Sequence, residues 1–130
     1  MEKIYHLKDI RSIPIDIPAG YFVLAEVTTL ASYKVNISII TGNQVIWSVS
    51  RQSMNPLPVY SSFFQCSNSE LQVEIDIQQS NRIDARVKTN DFKNQKGEIV
   101  VKSIIIICED AEDEDYNDVI INLTVMKNGY

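Results

Sequence analysis

Leu71-Gln72-Val73-Glu74-Ile75-Asp76-Ile77 alternates apolar and polar side chains without a break. Successive side chains of an extended chain point to opposite faces, so Leu71, Val73, Ile75 and Ile77 share one side and the three polar groups share the other. This is a strand with one dry and one wet face.

The same period recurs in both directions from it. Val35-Asn36-Ile37-Ser38-Ile39 repeats the alternation, and Ile13, Ile15 and Ile17 do so around Pro14, which suits an edge strand because proline donates nothing to a ladder. Residues 21–27 and 45–49 read as further strands, the second turning back on 35–40 through Thr41-Gly42-Asn43, and residues 83–88 add another. Residues 98–108 carry Ile104-Ile105-Ile106-Ile107, β-branched throughout and too short for a typical helix, which predicts a central strand covered on both faces. Residues 118–125 close the pattern, with Ile121, Leu123 and Val125 alternating against Asn122 and Thr124. The i, i+3, i+4 spacing of an amphipathic helix is almost absent. The reading is an all-β, antiparallel two-sheet β-sandwich of about nine strands, formed by residues 1–130 as a single domain.

Composition agrees: 130 residues, 45% hydrophobic, 22% charged, with four glycines, four prolines and two cysteines, describe one globular domain and exclude collagen, coiled coil and a disulfide framework. Cys66 and Cys108 form no C-x-x-C and have no neighbouring histidine, so both are expected to be reduced, Cys108 as a small buried hydrophobe. His6, the single histidine, falls in a polar N-terminal stretch and reads as a surface residue, and Trp47, inside an apolar strand, reads as a core or interface aromatic. Charges stand where a signal peptide would need an apolar region, and no run approaches the roughly 20 apolar residues of a spanning helix. A soluble protein is expected, cytoplasmic at synthesis, without a membrane partner; release or display at the cell surface stays open.

The charge is concentrated. The chain has seventeen acids against twelve bases, a net −5, yet seven acids stand within Glu109-Asp110-Ala111-Glu112-Asp113-Glu114-Asp115-Tyr116-Asn117-Asp118. The remainder is slightly basic but scattered, with no stripe of bases and aromatics, so a nucleic-acid partner is not expected. Clustered carboxylates on a loop held by two strands cannot relieve their repulsion by fraying, and a hard dication such as calcium, with six to eight oxygen ligands, would relieve it. Asp113-x-Asp115-x-Asn117-Asp118 alternates oxygen donors in a way that a curled loop can turn inward. It is not an EF-hand, since Asp118 occupies the glycine position and Thr124 the place of the bidentate glutamate. The bland reading is a solvated acidic turn. An enzyme is not expected, because the acids share one loop and no nucleophile arrangement is present.

At these residues the sequence resembles the bacterial calcium-mediated fucose/mannose-binding lectins of the LecB type, whose C-terminal signature E-D-x-x-D-x-D-Y-N-D is matched by Glu109 to Asp118 at every fixed position. The resemblance implies a non-enzymatic lectin in which two calcium ions per subunit bind a fucose- or mannose-type sugar directly. It implies Glu109, Asp113, Asp115, Asn117 and Asp118 as metal ligands, with Asp115 and Asp118 bridging the ions, and a backbone ligand at Thr28. Sugar contacts are implied for Asp110 and Asp113, and for Thr29, Leu30 and Ala31 on an early loop, where Leu30 and Ala31 are less polar than the family's residues. Family members pair through the C-terminal region, so a homodimer or higher homo-oligomer is implied, with the apolar pattern Val119-Ile120-Ile121 and Leu123-x-Val125-Met126 able to pack there. The alternative is a structural or adhesive sandwich in which calcium only rigidifies the acidic loop.

Overall fold

In the computed structural model the described residues are 2–8, 11–53, 58–78, 80–110 and 119–129. They form ten strands: β1 (Glu2–Leu7), β2 (Ser12–Asp16), β3 (Phe22–Thr29), β4 (Ala31–Thr41), β5 (Gln44–Ser53), β6 (Tyr60–Gln65), β7 (Glu70–Ile77), β8 (Ile83–Lys93), β9 (Ile99–Asp110) and β10 (Val119–Met126). All ladders are antiparallel, in a six-stranded sheet ordered β1-β8-β9-β10-β3-β6 and a four-stranded sheet ordered β2-β7-β4-β5. The two sheets enclose one core, so the fold is the two-sheet β-sandwich that the alternation implies.

β7 shows how local pattern becomes packing. Leu71, Val73, Ile75 and Ile77 are all buried and sit beside Ile13 and Ile15 of β2 and Ile37 and Ile39 of β4. Opposite them, Val23, Ala25 and Val27 of β3 and Val119, Ile121, Leu123 and Val125 of β10 supply the inner face of the larger sheet. β2 is an edge strand, as Pro14 requires. The turn from β4 to β5 places Gly42 at φ 59°, a conformation that favours glycine, and Thr41 pairs with Gln44 across it.

The ten strands of the described residues accord with the nine or so expected, and two expectations need correction. The N-terminal stretch is a strand, β1, whose pairing with β8 from Glu2↔Lys88 to Leu7↔Ile83 satisfies its backbone where its own side chains bury little. β6, with Phe63 and Phe64 among three polar residues, has too short an apolar pattern to be read as a strand, and its pairing with β3 defines it. The isoleucine run of β9 is central in its sheet but not covered on both faces: Ile104 and Ile106 are buried, whereas Ile105 is 39% exposed. β10 likewise spends Val119, Ile121, Leu123 and Val125 on the core, leaving Ile120 and Met126 as the apolar residues of its outer face. Both cysteines are buried and neither is in a disulfide, and Trp47 packs half-buried against the core.

Because Ile106 is fully buried and Ile4 is 59% exposed on β1, truncating them to alanine should have unequal effects. Urea unfolding should show a loss of about 2–5 kcal/mol for Ile106→Ala and about 1 kcal/mol or less for Ile4→Ala.

Candidate functional site

The acidic stretch begins on the end of β9 and returns into the start of β10. Cys108 of β9 pairs with Val119 of β10, and Val119 pairs on its other side with Thr29 of β3. One row of the sheet therefore brings together the first anchor of the acidic segment, its second anchor, and the end of the early loop. Thr28 pairs with Ile120, Leu30 lies between β3 and β4, and Ala31 opens β4 opposite Ser53. Of the expected site residues, Glu109, Thr28, Thr29, Leu30 and Ala31 thus stand at one end of the sandwich. Asp113, Asp115, Asn117 and Asp118 lie outside the described residues, as does the side chain of Asp110, whose backbone ends β9.

Two oxygen-bearing groups at this end are notable for their burial. The Glu109 side chain is fully buried, and a buried carboxylate persists only with compensating donors or a cation. Thr29 is 2% exposed, and its Oγ1 has no hydrogen-bond partner among the described residues. Oxygen donors without histidine or thiolate suit a hard cation of the calcium type. Among the described residues alone, no three carboxylates, histidines or cysteines converge on one point, so a complete ligand set needs the residues of the acidic segment.

A cluster not foreseen from the sequence supports Glu109 from β8. Asp84 is its direct partner across the β8–β9 ladder, and His6 of β1 is the partner of Asp84 on the other side. Residues directly opposite in such a ladder hold their Cβ atoms about 5 Å apart, where like charges destabilise each other. The charge of Asp84 is answered locally. His6 Nδ1 lies 2.6 Å from Oδ1, while Arg82 reaches Oδ1 with Nε at 3.1 Å and donates from Nη2 to Oδ2 at 3.3 Å. Burial pushes the Asp84 carboxyl up, but the hydrogen bonds and positive charge of His6 and Arg82 outweigh it and hold the group below its ordinary 3.8. In sequence Asp84 is only a polar position in an alternating strand, and nothing local says that Glu109 will stand beside it. His6, read as a surface residue, is largely exposed at its ring yet tied down by this contact.

The sign of the pH effect follows. A carboxyl lowered in the folded state stabilises the fold above its ordinary value and loses that contribution as pH falls through the lowered one. Asp84→Asn should therefore lower stability at pH 7 by about 1–3 kcal/mol, the range for buried charge-assisted hydrogen bonds. The gap to the unmodified protein in thermal unfolding should narrow below pH 3.8.

No curated protein matches the chain. Among solved structures, the C-terminal domain of the BC2L-C lectin from Burkholderia cenocepacia superimposes with a TM-score of 0.67 at 19% identity, over 88% of this chain and 96% of that one. A high-affinity mannose-binding lectin of Ralstonia solanacearum follows at 0.66 and 15% identity, over 85% and 93%. The Chromobacterium violaceum lectin CV2L, solved with alpha-methyl-fucoside, gives 0.63 and 17%, again over 85% and 93%. At these identities the likeness is one of fold. The sequence profile of fucose-binding lectin II (PA-IIL) matches residues 15–127, a span that runs from β2 through β10 and includes both anchors of the acidic segment. The chain belongs to that family, the fucose-binding lectin II (PA-IIL) lectins.

Proposed function

We propose that this chain is a calcium-dependent lectin for fucose- or mannose-type sugars, without enzymatic activity. The observation that carries it is the meeting of a family-matched acidic segment, anchored by Glu109 and Val119, with Thr28, Thr29, Leu30 and Ala31 on one end of the sandwich. Glu109, Asp113, Asp115, Asn117, Asp118 and the Thr28 carbonyl hold two calcium ions. When bound, calcium supplies open coordination positions that exchange water for vicinal sugar hydroxyls. Asp110 and Asp113 accept hydrogen bonds from the sugar, and charge-assisted bonds of this kind are about twice as strong as neutral ones. The residues 29–31 line the sugar's other side, and the half-buried Leu30 offers it an apolar contact. Asp84, with its charge answered by His6 and Arg82, fixes the β8 side of Glu109.

The active form is a homodimer. On the outer face of the six-stranded sheet Ile105 of β9, Ile120 and Met126 of β10, and Leu24 of β3 gather around Asn122 and Thr124, and a second copy would cover them. Among the described residues no helix is long and apolar enough to cross a membrane.

The burial of Thr29 and Ala31 favours a second reading, a structural sandwich in which calcium stiffens the acidic segment without a sugar. Isothermal titration with methyl fucoside and methyl mannoside, in calcium and in chelator, separates the two. The lectin reading expects calcium-dependent heat that Asp115→Ala and Asp118→Ala each remove while the strand signal in circular dichroism persists. Calcium that raises the melting temperature but leaves both sugars silent would establish the structural reading instead. Sedimentation at micromolar concentration should give a dimer, and Ile120→Lys should give a monomer.

A further inference from the structure

Beside the early loop, on the side of β3 away from β10, stands a guanidinium that the lectin reading does not use. Arg51 belongs to β5, two residues before Ser53, which pairs with Ala31. Tyr60 opens β6 and pairs with Val27, two residues before Thr29. Arg51 and Tyr60 therefore approach the loop 29–31 from the edge strands of the two sheets, about 7 Å along each strand at the usual rise per residue.

The side chain of Arg51 is set in place from two directions. Its Cζ lies 5.7 Å from the centroid of the Tyr60 ring, and its Nη1 donates to the carbonyl oxygen of Pro58 at 2.5 Å. Tyr60 is itself backed by Trp47, with ring centroids 5.2 Å apart at 44°. The cluster of Trp47, Tyr60 and Arg51 thus joins β5 of one sheet to β6 of the other. The ion pairs among the described residues are His6–Asp84, Arg11–Asp76, Arg82–Asp84, Arg86–Glu2 and Lys127–Glu98, and Arg51 takes part in none of them. A half-buried guanidinium that lies over an aromatic ring and, among the described residues, spends one donor on a carbonyl and joins no ion pair is placed to take an oxyanion.

We propose that Arg51 forms an anion subsite for the second residue of a glycan whose terminal sugar occupies the monosaccharide site, and that it takes a carboxylate or a sulfate on that second residue. The proposal rests on the lectin reading. Arg51 stands two residues along β5 from the partner of Ala31, an offset of about 7 Å at the usual rise per residue, and on this reading it adds nothing to a free monosaccharide. Charge complementarity of this kind acts on selectivity among glycans and is weakened by salt.

The test is titration, in calcium and low salt, of methyl mannoside or methyl fucoside and of three disaccharides carrying the same terminal sugar. The second residue is neutral in one, a uronic acid in another, and O-sulfated in the last. The unmodified protein should bind one or both acidic disaccharides about five- to tenfold more tightly than the neutral one, which is about 1–1.4 kcal/mol. The acid that gains identifies the anion. Arg51→Met keeps the stem over Tyr60 and should abolish the preference with the monosaccharide affinity unchanged, while Arg51→Lys should keep part of it. Equal affinity for the three disaccharides overturns the subsite. So does a fall of the same factor for monosaccharide and disaccharides in Arg51→Met. If the unmodified protein binds the monosaccharide with no calcium dependence, the lectin reading fails and the subsite with it.

Discussion

The insertion of β10 between β9 and β3 is the constraint on which the rest depends. A strand paired on both sides can slip in register only by turning its buried residues outward, and Val119, Ile121, Leu123 and Val125 make that slip costly. With the register fixed, Cys108, Val119 and Thr29 must share a row. The start and end of an acidic segment and the tip of a distant loop are thereby carried to the same end of the molecule by hydrophobic burial alone.

That arrangement concentrates charge where burial is greatest, and the fold handles the conflict residue by residue. Glu109 is fully buried and faces Asp84 across the ladder, a pairing that like charges disfavour. Arg82 and His6, from β8's own approach and from β1, answer Asp84. β1 thus has a role beyond extending the sheet: it delivers the chain's single histidine to the carboxylate that flanks the site. β9 and β10, paired side by side, fix the two points between which the acidic stretch of the sequence runs.

The outer surfaces divide along the same lines. The inner faces are almost wholly aliphatic, whereas the aromatic side chains gather at the margins: Trp47 and Tyr60 close the side between β5 and β6, and Phe22 stacks on Phe63 at 5.5 Å on the outside of the larger sheet. Flat, large side chains cover an open sandwich edge with little loss of conformational entropy. At that edge they also support Arg51.

The sequence by itself determined the class of fold and the family. Alternation in 71–77, 35–39 and 119–125 is a local property, set by the two-residue period of the extended chain, so eight strands, and the inward faces of all but β9, were readable one segment at a time. The ten-residue acidic signature was equally local, and the family it pointed to is the one whose profile the chain matches. What only the tertiary structure decided depends on partners. β1 and β6 bury too little to announce themselves and exist because β8 and β3 offer them ladders. The isoleucine run of β9 could not reveal that one of its faces stays open, since a continuous apolar run reads the same whether covered once or twice. Asp84 opposite Glu109, and Arg51 beside the loop 29–31, are pairings across 25 and 20 residues of sequence. They arise from register between strands, which is settled only when the hydrophobic faces close on each other.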